Sequence, residues 1–161
     1  MKSNSGAKFW AIRAGRGGDA HKLFIERSVI ALEDAGLGDL SIYGSQREYF
    51  YDAYRKLHPD ETRSGSAGVG GKYFRFIHEI SVGDFIVYPA LADKQVYVAE
   101  VTGEYIYDSS SMYPHQRSVK WTHSFPKSEL SISACRELGA ARTFFEFKNN
   151  ICEIKLNIDS D

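Results

Sequence analysis

Cysteine and long apolar runs are scarce in this sequence. The 161 residues include two cysteines, Cys135 and Cys152, and the opening residues 1–6 lack the apolar stretch of a secretory signal. We therefore interpret both cysteines as free thiols of a reducing compartment and expect a cytoplasmic protein. No apolar run approaches the roughly 18 residues that cross a bilayer, so we expect no membrane partner.

Neither acidic nor basic residues are in excess. Twenty Lys and Arg residues against 21 Asp and Glu residues give a formal net charge of -1. No global positive field draws such a chain to nucleic acid, so any contact of that kind must come from a local patch. The five histidines show neither the i, i+4 pairing nor the Cys/His spacing of zinc sites. We expect neither a metal nor a cofactor.

Apolar residues are plentiful enough for one globular domain, with 43% hydrophobic and 14% aromatic content. Short β-branched and aromatic runs predict six strands, at residues 9–12, 28–32, 85–88, 96–101, 118–121 and 143–147. Short helices cluster in the first half, and strands dominate the second. This order predicts an α+β domain with a mostly antiparallel sheet that is closed or nearly closed.

Helix and loop signals lie between the strands and after them. Asp19 is expected to cap a short helix, and Ser45 opens a capping box for a second helix. Residues 59–71 are rich in glycine and serine and predict a mobile loop, which an amphipathic helix over residues 73–80 follows. Apolar residues alternate in the tail, residues 148–161, which predicts an edge strand or the start of a connection.

A nuclease signal occurs near the end of the sequence. Glu153-Ile154-Lys155 matches the E-x-K half of a restriction-type nuclease site, in which a carboxylate holds Mg²⁺ and the lysine polarises the attacking water. The usual partner aspartate is missing, because no aspartate lies between His123 and Cys152. A small Mg²⁺-dependent nuclease is therefore kept as a second alternative, and we do not expect the chain to be an enzyme.

A glycine-rich loop follows the first predicted strand. It contains Arg13 and Arg16, whose guanidinium groups suit phosphates and base edges. It also contains Gly15 and Gly17, which let backbone N–H groups approach a ligand closely. A solvated turn with two surface arginines explains the same residues equally well.

Aromatic and cationic residues are interleaved further along the chain. The set comprises Tyr105, Tyr107, Tyr113, Pro114, His115, Arg117, Lys120 and Trp121. Such a set can stack on bases and neutralise a phosphate backbone, although half of these rings could equally fill the interior. Alternation along the strand turns Trp121 toward the core, whereas Tyr113 and His115 are predicted at the surface.

Several motifs in order resemble those of one family. They are residues 9–18 (FWAIRAGRGG), 37–41 (LGDLS), 75–80 (RFIHEI), 82–84 (VGD), 103–105 (GEY), 107–108 (YD), 113–115 (YPH), Arg117, 119–121 (VKW) and 138–139 (LG). Together they resemble the amino-terminal domain of Mrr-like, modification-dependent restriction proteins over residues 9–147. That domain is similar to the EVE and YTH modules of the PUA-like superfamily, small barrels that hold an extruded modified base in an aromatic-walled pocket.

The resemblance implies a PUA-like (EVE/YTH-like) barrel and a set of site residues. The implied base pocket lies between the ends of the first strand, the second strand and the strand that stops at Tyr88, and comprises Trp10, Ala14, Leu32, Glu33, Asp34, Tyr88, Pro89, Tyr113 and His115. The implied nucleic-acid contacts are Arg13, Gly15, Arg16, Gly17, Arg117 and Lys120.

Two positions depart from the pattern of the relatives. Glu33-Asp34 stands where they commonly carry a tryptophan, and an aromatic residue expected in the glycine-rich segment is replaced near Val69. Carboxylates cannot stack as an indole does, but they accept hydrogen bonds from an exocyclic amine or a hydroxymethyl group. The identity of the modified base is therefore left open.

The resulting hypothesis is a recognition domain of a restriction or defence system that binds modified double-stranded DNA by base flipping. The modified base would be methylated or hydroxymethylated. Residues 8–148 would form the reader, residues 1–7 a flexible leader, and residues 149–161 an edge strand or a linker toward a nuclease domain or subunit. Modified RNA is the alternative partner, because EVE- and YTH-like barrels also read RNA.

Overall fold

One six-stranded sheet organises residues 6–159, the part of the chain that the computed structural model describes. The strands are β1 (Phe9–Ile12), β2 (Val29–Leu32), β3 (Phe85–Pro89), β4 (Gln95–Tyr107), β5 (His115–Pro126) and β6 (Phe144–Phe147). Their order is β2-β5-β4-β3-β1-β6, and β1 and β3 run parallel while all other neighbours are antiparallel. The predicted α+β class and mostly antiparallel pairing are confirmed. The sheet is open rather than closed, because β2 and β6 form its two edges.

Helices fill the connections between these strands. They are α1 (His21–Arg27), α2 (Arg47–Leu57), α3 (Arg63–Phe74), α4 (Ile132–Leu138) and α5 (Ile151–Asp159), and a π-helical turn, Arg75–Glu79, continues α3. Single 3-10 turns lie at Arg16–Gly18, Leu40–Tyr43 and Lys127–Glu129. Between residues 6 and 159, no helix is both long and apolar enough to cross a bilayer. Most of the predicted leader, residues 1–5, lies outside the described residues.

Both faces of the sheet are covered. Trp10 and Ile12 belong to a core formed with α1, α2 and α3, whereas Phe9 and Ala11 pack with α4 and α5. This alternation follows the period of two along a strand, and it buries all four residues of β1. The sequence run FWAI forms a strand here because either face of it meets apolar side chains.

The glycine-rich segment 59–71 is not the predicted mobile loop. Helix α3 occupies most of it, and the Thr62 side chain caps that helix by accepting a hydrogen bond from the Gly65 amide at 3.0 Å. A Cβ atom added at Gly70 would lie 2.9 Å from the backbone nitrogen of Tyr51 in α2. The loop prediction is wrong because this close helix packing outweighs the low helix propensity of glycine.

The predicted capping residues of α1 and α2 are also wrong. Both helices form, but their N-caps are Ala20 and Gln46, and neither makes a side-chain capping bond. Asp19 and Ser45 therefore lie one residue too early to cap.

The tail does not form the predicted edge strand. Residues Ile151–Asp159 form α5, which buries Ile154 in the second core and packs Ile151 and Ile158 beside it. These three residues have spacings of three and four, which suit one face of a helix. The exposed Leu156 was the residue that made the pattern look alternating.

The curvature of the sheet positions the site. In strand order, β5, β4 and β3 separate β2 from β1. Nevertheless, Ile30 of β2 and Ile12 of β1 belong to one core cluster. The sheet therefore wraps around this core and brings the ends of β1, β2 and β3 together.

Candidate functional site

A cavity of about 460 Å³ opens where β1, β2 and β3 end. Small-molecule sites usually measure about 300–1,000 Å³, so this cavity has room for a ligand of nucleobase size. Half of its lining residues were predicted for the site, namely Arg13, Ala14, Gly15, Arg16, Gly17, Leu32, Glu33, Tyr88 and Pro89. The three strand ends that the resemblance implied as pocket borders therefore do enclose one cavity.

The glycine loop forms one wall of the cavity. Gly15 and Gly17 have φ values of 68° and 66°, in the left-handed region that favours glycine. A Cβ atom at Gly15 would lie 2.7 Å from the Cε1 atom of Tyr113. Glycine at this position therefore lets the Tyr113 ring pack against the loop and support the wall from behind.

Arg13 and Arg16 behave differently in this loop. The Arg13 guanidinium donates hydrogen bonds to the carbonyl oxygens of Gly139 at 3.1 Å and Ala140 at 2.6 Å, and so ties the loop to the end of α4. The Arg16 side chain is exposed and makes no hydrogen bond or ion pair with any residue from 6 to 159. Arg16 is therefore an available cation at the rim, and Arg13 is a structural clamp.

Lys72 is a cavity residue that the sequence did not indicate. It lies in α3, and its Nζ atom sits 4.8 Å from the centre of the Tyr73 ring. Burial lowers the pKa of Lys72, while the charge of Glu33 raises it. Within the described chain its ammonium group makes no hydrogen bond or ion pair. A helix that runs through residue 72 would have been the signal for Lys72, but the sequence predicted a loop up to residue 71 and a helix only from residue 73.

Glu33 brings a carboxylate to the same cavity. Its backbone is held by the Tyr73 hydroxyl, which donates a hydrogen bond to the Glu33 carbonyl oxygen at 2.5 Å. The carboxylate itself has no hydrogen-bond or ion-pair partner among residues 6–159. The cavity thus presents a cationic donor and an anionic acceptor, both available to a ligand.

Tyr88 is the aromatic residue of the described cavity wall. Its ring stacks on Tyr97 with centroids 5.8 Å apart, and its hydroxyl forms a hydrogen bond with His21 Nδ1 at 2.7 Å. Burial raises the pKa of the Tyr88 phenol well above its usual range. The wall is therefore less aromatic than the resemblance implies, and polar contacts have a larger share in it.

His115 and Arg117 lie inside the protein, and the surface prediction for His115 is wrong. Strand β5 begins at His115, so alternation turns residues 115, 117 and 119 toward the core. His115 is 0% exposed and forms hydrogen bonds with the Tyr105 hydroxyl at 2.8 Å and with Asp34 at 3.2 Å.

Arg117 also has an internal role. It is 1% exposed and donates hydrogen bonds to the carbonyl oxygens of Gly103 at 3.2 Å and Phe76 at 3.3 Å. Its remaining guanidinium nitrogen lies 3.6 Å from Glu104. A buried and satisfied guanidinium cannot reach a phosphate, so the predicted nucleic-acid contact at Arg117 is corrected.

Four other predicted site residues lie outside the cavity lining. Trp10 is 0% exposed, and its Nε1 atom donates to Asp84 at 3.1 Å. Asp34 accepts hydrogen bonds from the amides of Leu37 and Gly38, which organise the loop after β2. Lys120 is exposed on β5 opposite Glu100, and Tyr113 only supports the glycine loop.

Family membership follows from a match over most of the chain. A family model described as "Domain of unknown function (DUF8426)" matches residues 10–148. The chain belongs to this family. The match to the DUF8426 model runs from β1 to the end of β6. It therefore includes every residue that lines the cavity, from Arg13 to Thr143. A search of curated proteins finds no match.

Glu153, the carboxylate of the E-x-K motif in this DUF8426 chain, has a structural role. In α5, the Glu153 carboxylate accepts hydrogen bonds from the Ser131 amide at 2.8 Å and from the Ser131 hydroxyl, which lowers the pKa of Glu153.

Over residues 6–159, no group of three or more His, Cys, Asp or Glu side chains could hold a metal ion. Cys135 is half-buried and Cys152 exposed, both as free thiols.

Proposed function

We propose that this DUF8426 chain is a recognition domain that holds a modified nucleobase, extruded from DNA, in the cavity between β1, β2 and β3. The observation that carries the proposal is the presence of both Lys72 and Glu33 on the wall of a cavity of about 460 Å³. A donor and an acceptor that make no hydrogen bond or ion pair with residues 6–159, in a partly enclosed space, suit a neutral ligand that offers the complementary pair.

A nucleobase offers that complementary pair on its Watson–Crick edge. Cytosine and adenine each present an exocyclic amine beside a ring nitrogen, so Glu33 would accept from the amine and Lys72 would donate to the ring nitrogen. Each good pair of this kind discriminates against a wrong base by about 1–3 kcal/mol. The pocket would therefore identify the base chiefly by hydrogen bonds, with Tyr88 as its aromatic wall.

Extrusion of the base must be offset by contacts in the complex. Unstacking and unpairing cost a few kcal/mol. Hydrogen bonds in the cavity and the charge of Arg16 at its rim are the contacts that offset this cost, because an unpaired guanidinium can neutralise a flanking phosphate. The net charge of -1 favours this local mechanism over general attraction to DNA.

Binding to matched oligonucleotides tests the proposal. Duplexes that differ at one base, which is cytosine, 5-methylcytosine, 5-hydroxymethylcytosine, adenine or N6-methyladenine, are titrated by fluorescence anisotropy at fixed salt. We expect one modified duplex to bind at least tenfold more tightly than its unmodified partner. Equal affinity for all five duplexes would exclude the reader function.

Variants that remove one charge test whether binding depends on the cavity. Glu33→Gln and Lys72→Gln should each weaken binding to the preferred duplex by about tenfold, the loss of one hydrogen bond to a charged group. Glu26→Gln and Lys56→Gln make the same changes at exposed positions outside the cavity and should leave that affinity unchanged. The same base series in RNA decides between the two nucleic acids, and plasmid that stays intact with Mg²⁺ removes the nuclease alternative.

A further inference from the structure

A second groove, of about 630 Å³, lies between the π-helical turn, α4 and β6. Three arginines line it: Arg75 from the π-helical turn, Arg136 from α4, and Arg142 from the connection that leads into β6. None of the predicted site residues belongs to this groove. Its charge therefore calls for a separate explanation.

Within the described residues, the carboxylates of the groove form no ion pair with these arginines. Glu79 is paired with Arg47 at 2.5 Å. Glu137 accepts hydrogen bonds from two backbone amides and one side-chain amide after β6, at 2.8–3.0 Å. Glu146 lies between two lysines, at 3.8 Å and 3.9 Å. All three carboxylates are thus occupied by other groups of the described chain.

The three guanidinium groups lack ion-pair partners among residues 6–159. The Nε atom of Arg75 is buried without a hydrogen-bond partner. Arg136 and Arg142 are exposed, and the Arg142 guanidinium lies 5.2 Å from the centre of the Phe145 ring. Burial first, and then the charges of Arg47 and Arg142, lower the pKa of Arg75, whereas Glu79 raises it. A bound anion would relieve this repulsion.

The groove adjoins the cavity across one short turn. Leu138, Gly139 and Thr143 line the cavity, while Ala140 and Arg142 line the groove. The Arg13 guanidinium holds this turn by its hydrogen bonds to two of the carbonyl oxygens. A strand whose base enters the cavity would therefore carry its neighbouring phosphates over the turn toward the arginines.

We propose that the groove lined by Arg75, Arg136 and Arg142 binds a phosphate group, and that its source is the backbone of the nucleic acid whose base enters the cavity. The source of the phosphate rests on the proposed function, whereas the phosphate chemistry does not. Guanidinium groups match phosphate oxygens with two parallel N–H donors.

The salt dependence of binding to an unmodified duplex tests this proposal. The double variant Arg136→Gln/Arg142→Gln is compared with Arg27→Gln/Arg55→Gln, which removes two exposed arginines that form no ion pair with residues 6–159 and so matches the change in net charge. We expect the slope of log K against log salt to become shallower by about one to two in the groove variant, roughly one per lost phosphate contact, and not in the control. Equal slopes in the two variants would show that the nucleic-acid backbone is not the source of the phosphate.

A titration with inorganic phosphate, followed by amide NMR shifts, separates the possible sources. One outcome is that inorganic phosphate shifts the amide resonances of the groove residues in the native chain while the two double variants keep equal salt slopes with the duplex. In that case the ligand is a free phosphate compound, and the nucleic-acid backbone is not its source. If neither phosphate nor a duplex perturbs the groove, there is no anion site. A shallower slope in the groove variant without any preference for a modified base would reject the proposed function and keep the groove.

Discussion

At the scale of single residues, Gly15 is the position on which the cavity wall depends most. Its φ of 68° and its contact with Tyr113 both exclude a Cβ atom. We expect Gly15→Ala to lower the free energy of unfolding by about 1–3 kcal/mol for backbone strain alone, with a further loss from the displaced Tyr113 ring. Urea denaturation measures the change.

Gly44→Ala is the matched control for that substitution. Gly44 has a φ of 71° and a ψ of -157°, close to the 68° and -167° of Gly15, but nothing lies within 4 Å of an added Cβ atom. The control should therefore lose only the backbone contribution. If both variants lose the same free energy, Tyr113 does not pack against Gly15 as described.

His115 makes the stability of the protein depend on pH. Burial lowers the pKa of His115 from its usual value, although Asp34 acts in the opposite direction. As the pH falls below the unfolded-state pKa of about 6.5, the unfolded chain takes up this proton before the folded chain does. Stability is therefore lost as the pH falls, by at most about 1.4 kcal/mol per pH unit from this one group.

Replacing the histidine isolates this effect. The free energy of unfolding, measured at pH 7.5, 6.5 and 5.5, should fall more steeply with decreasing pH in the native chain than in His115→Gln. A parallel decline in the two proteins would contradict a lowered pKa for the buried imidazole.

The cavity residues could be predicted where they directly follow strand ends. Leu32, Glu33 and Pro89 stand at or just beyond apolar runs, and such positions reach the edge of a sheet. Residue type alone could not show that His115 and Arg117 are buried, because aromatic and cationic side chains suit an interior with carbonyl partners as well as a ligand. Which of the two applies depends on strand register, and β5 begins where a loop was predicted.

At the scale of secondary-structure elements, the packing of α3 on α2 determines what the glycines of α3 contribute. An added Cβ at Gly70 would meet the backbone of Tyr51 at 2.9 Å and of Phe50 at 3.1 Å, whereas Gly68 has nothing within 4 Å. Gly68→Ala should therefore stabilise the protein by up to about 1 kcal/mol through helix propensity. Gly70→Ala should destabilise it by about 1–3 kcal/mol through overpacking.

Thermal unfolding of the two variants checks this prediction, because they make the same chemical change two residues apart. We expect a higher Tm for Gly68→Ala and a lower Tm for Gly70→Ala than for the native chain. Shifts of the same sign would mean that α3 does not approach α2 through Gly70.

Strands were easier to predict than helices in this chain. A strand such as β3 has a short β-branched and aromatic run, and its pattern is local. Helix α3 is rich in Gly and Ser residues, which favour helices weakly, and its packing against α2 stabilises it. The apolar residues of α5 fit the spacing of a helix as well as that of a strand. Only the surface against which they pack decides between the two. Contacts distant in sequence decided both cases.

At the scale of the whole molecule, curvature of the sheet creates the cavity that no single element contains. Strands β1 and β3 are parallel neighbours and end together, and β2 joins them only because the sheet wraps around its core. The chain is close to neutral, yet five cationic side chains of the cavity and the groove, Arg16, Lys72, Arg75, Arg136 and Arg142, form no ion pair with any residue from 6 to 159. This arrangement favours selective contacts over general attraction to polyanions.

A crystal structure of the protein with a duplex that carries the preferred modified base is the most direct test of the cavity. We expect that base to lie outside the helical stack, within hydrogen-bonding distance of Lys72 and Glu33. A base that remains stacked in the duplex, while the protein contacts it through another surface, would contradict the proposed function.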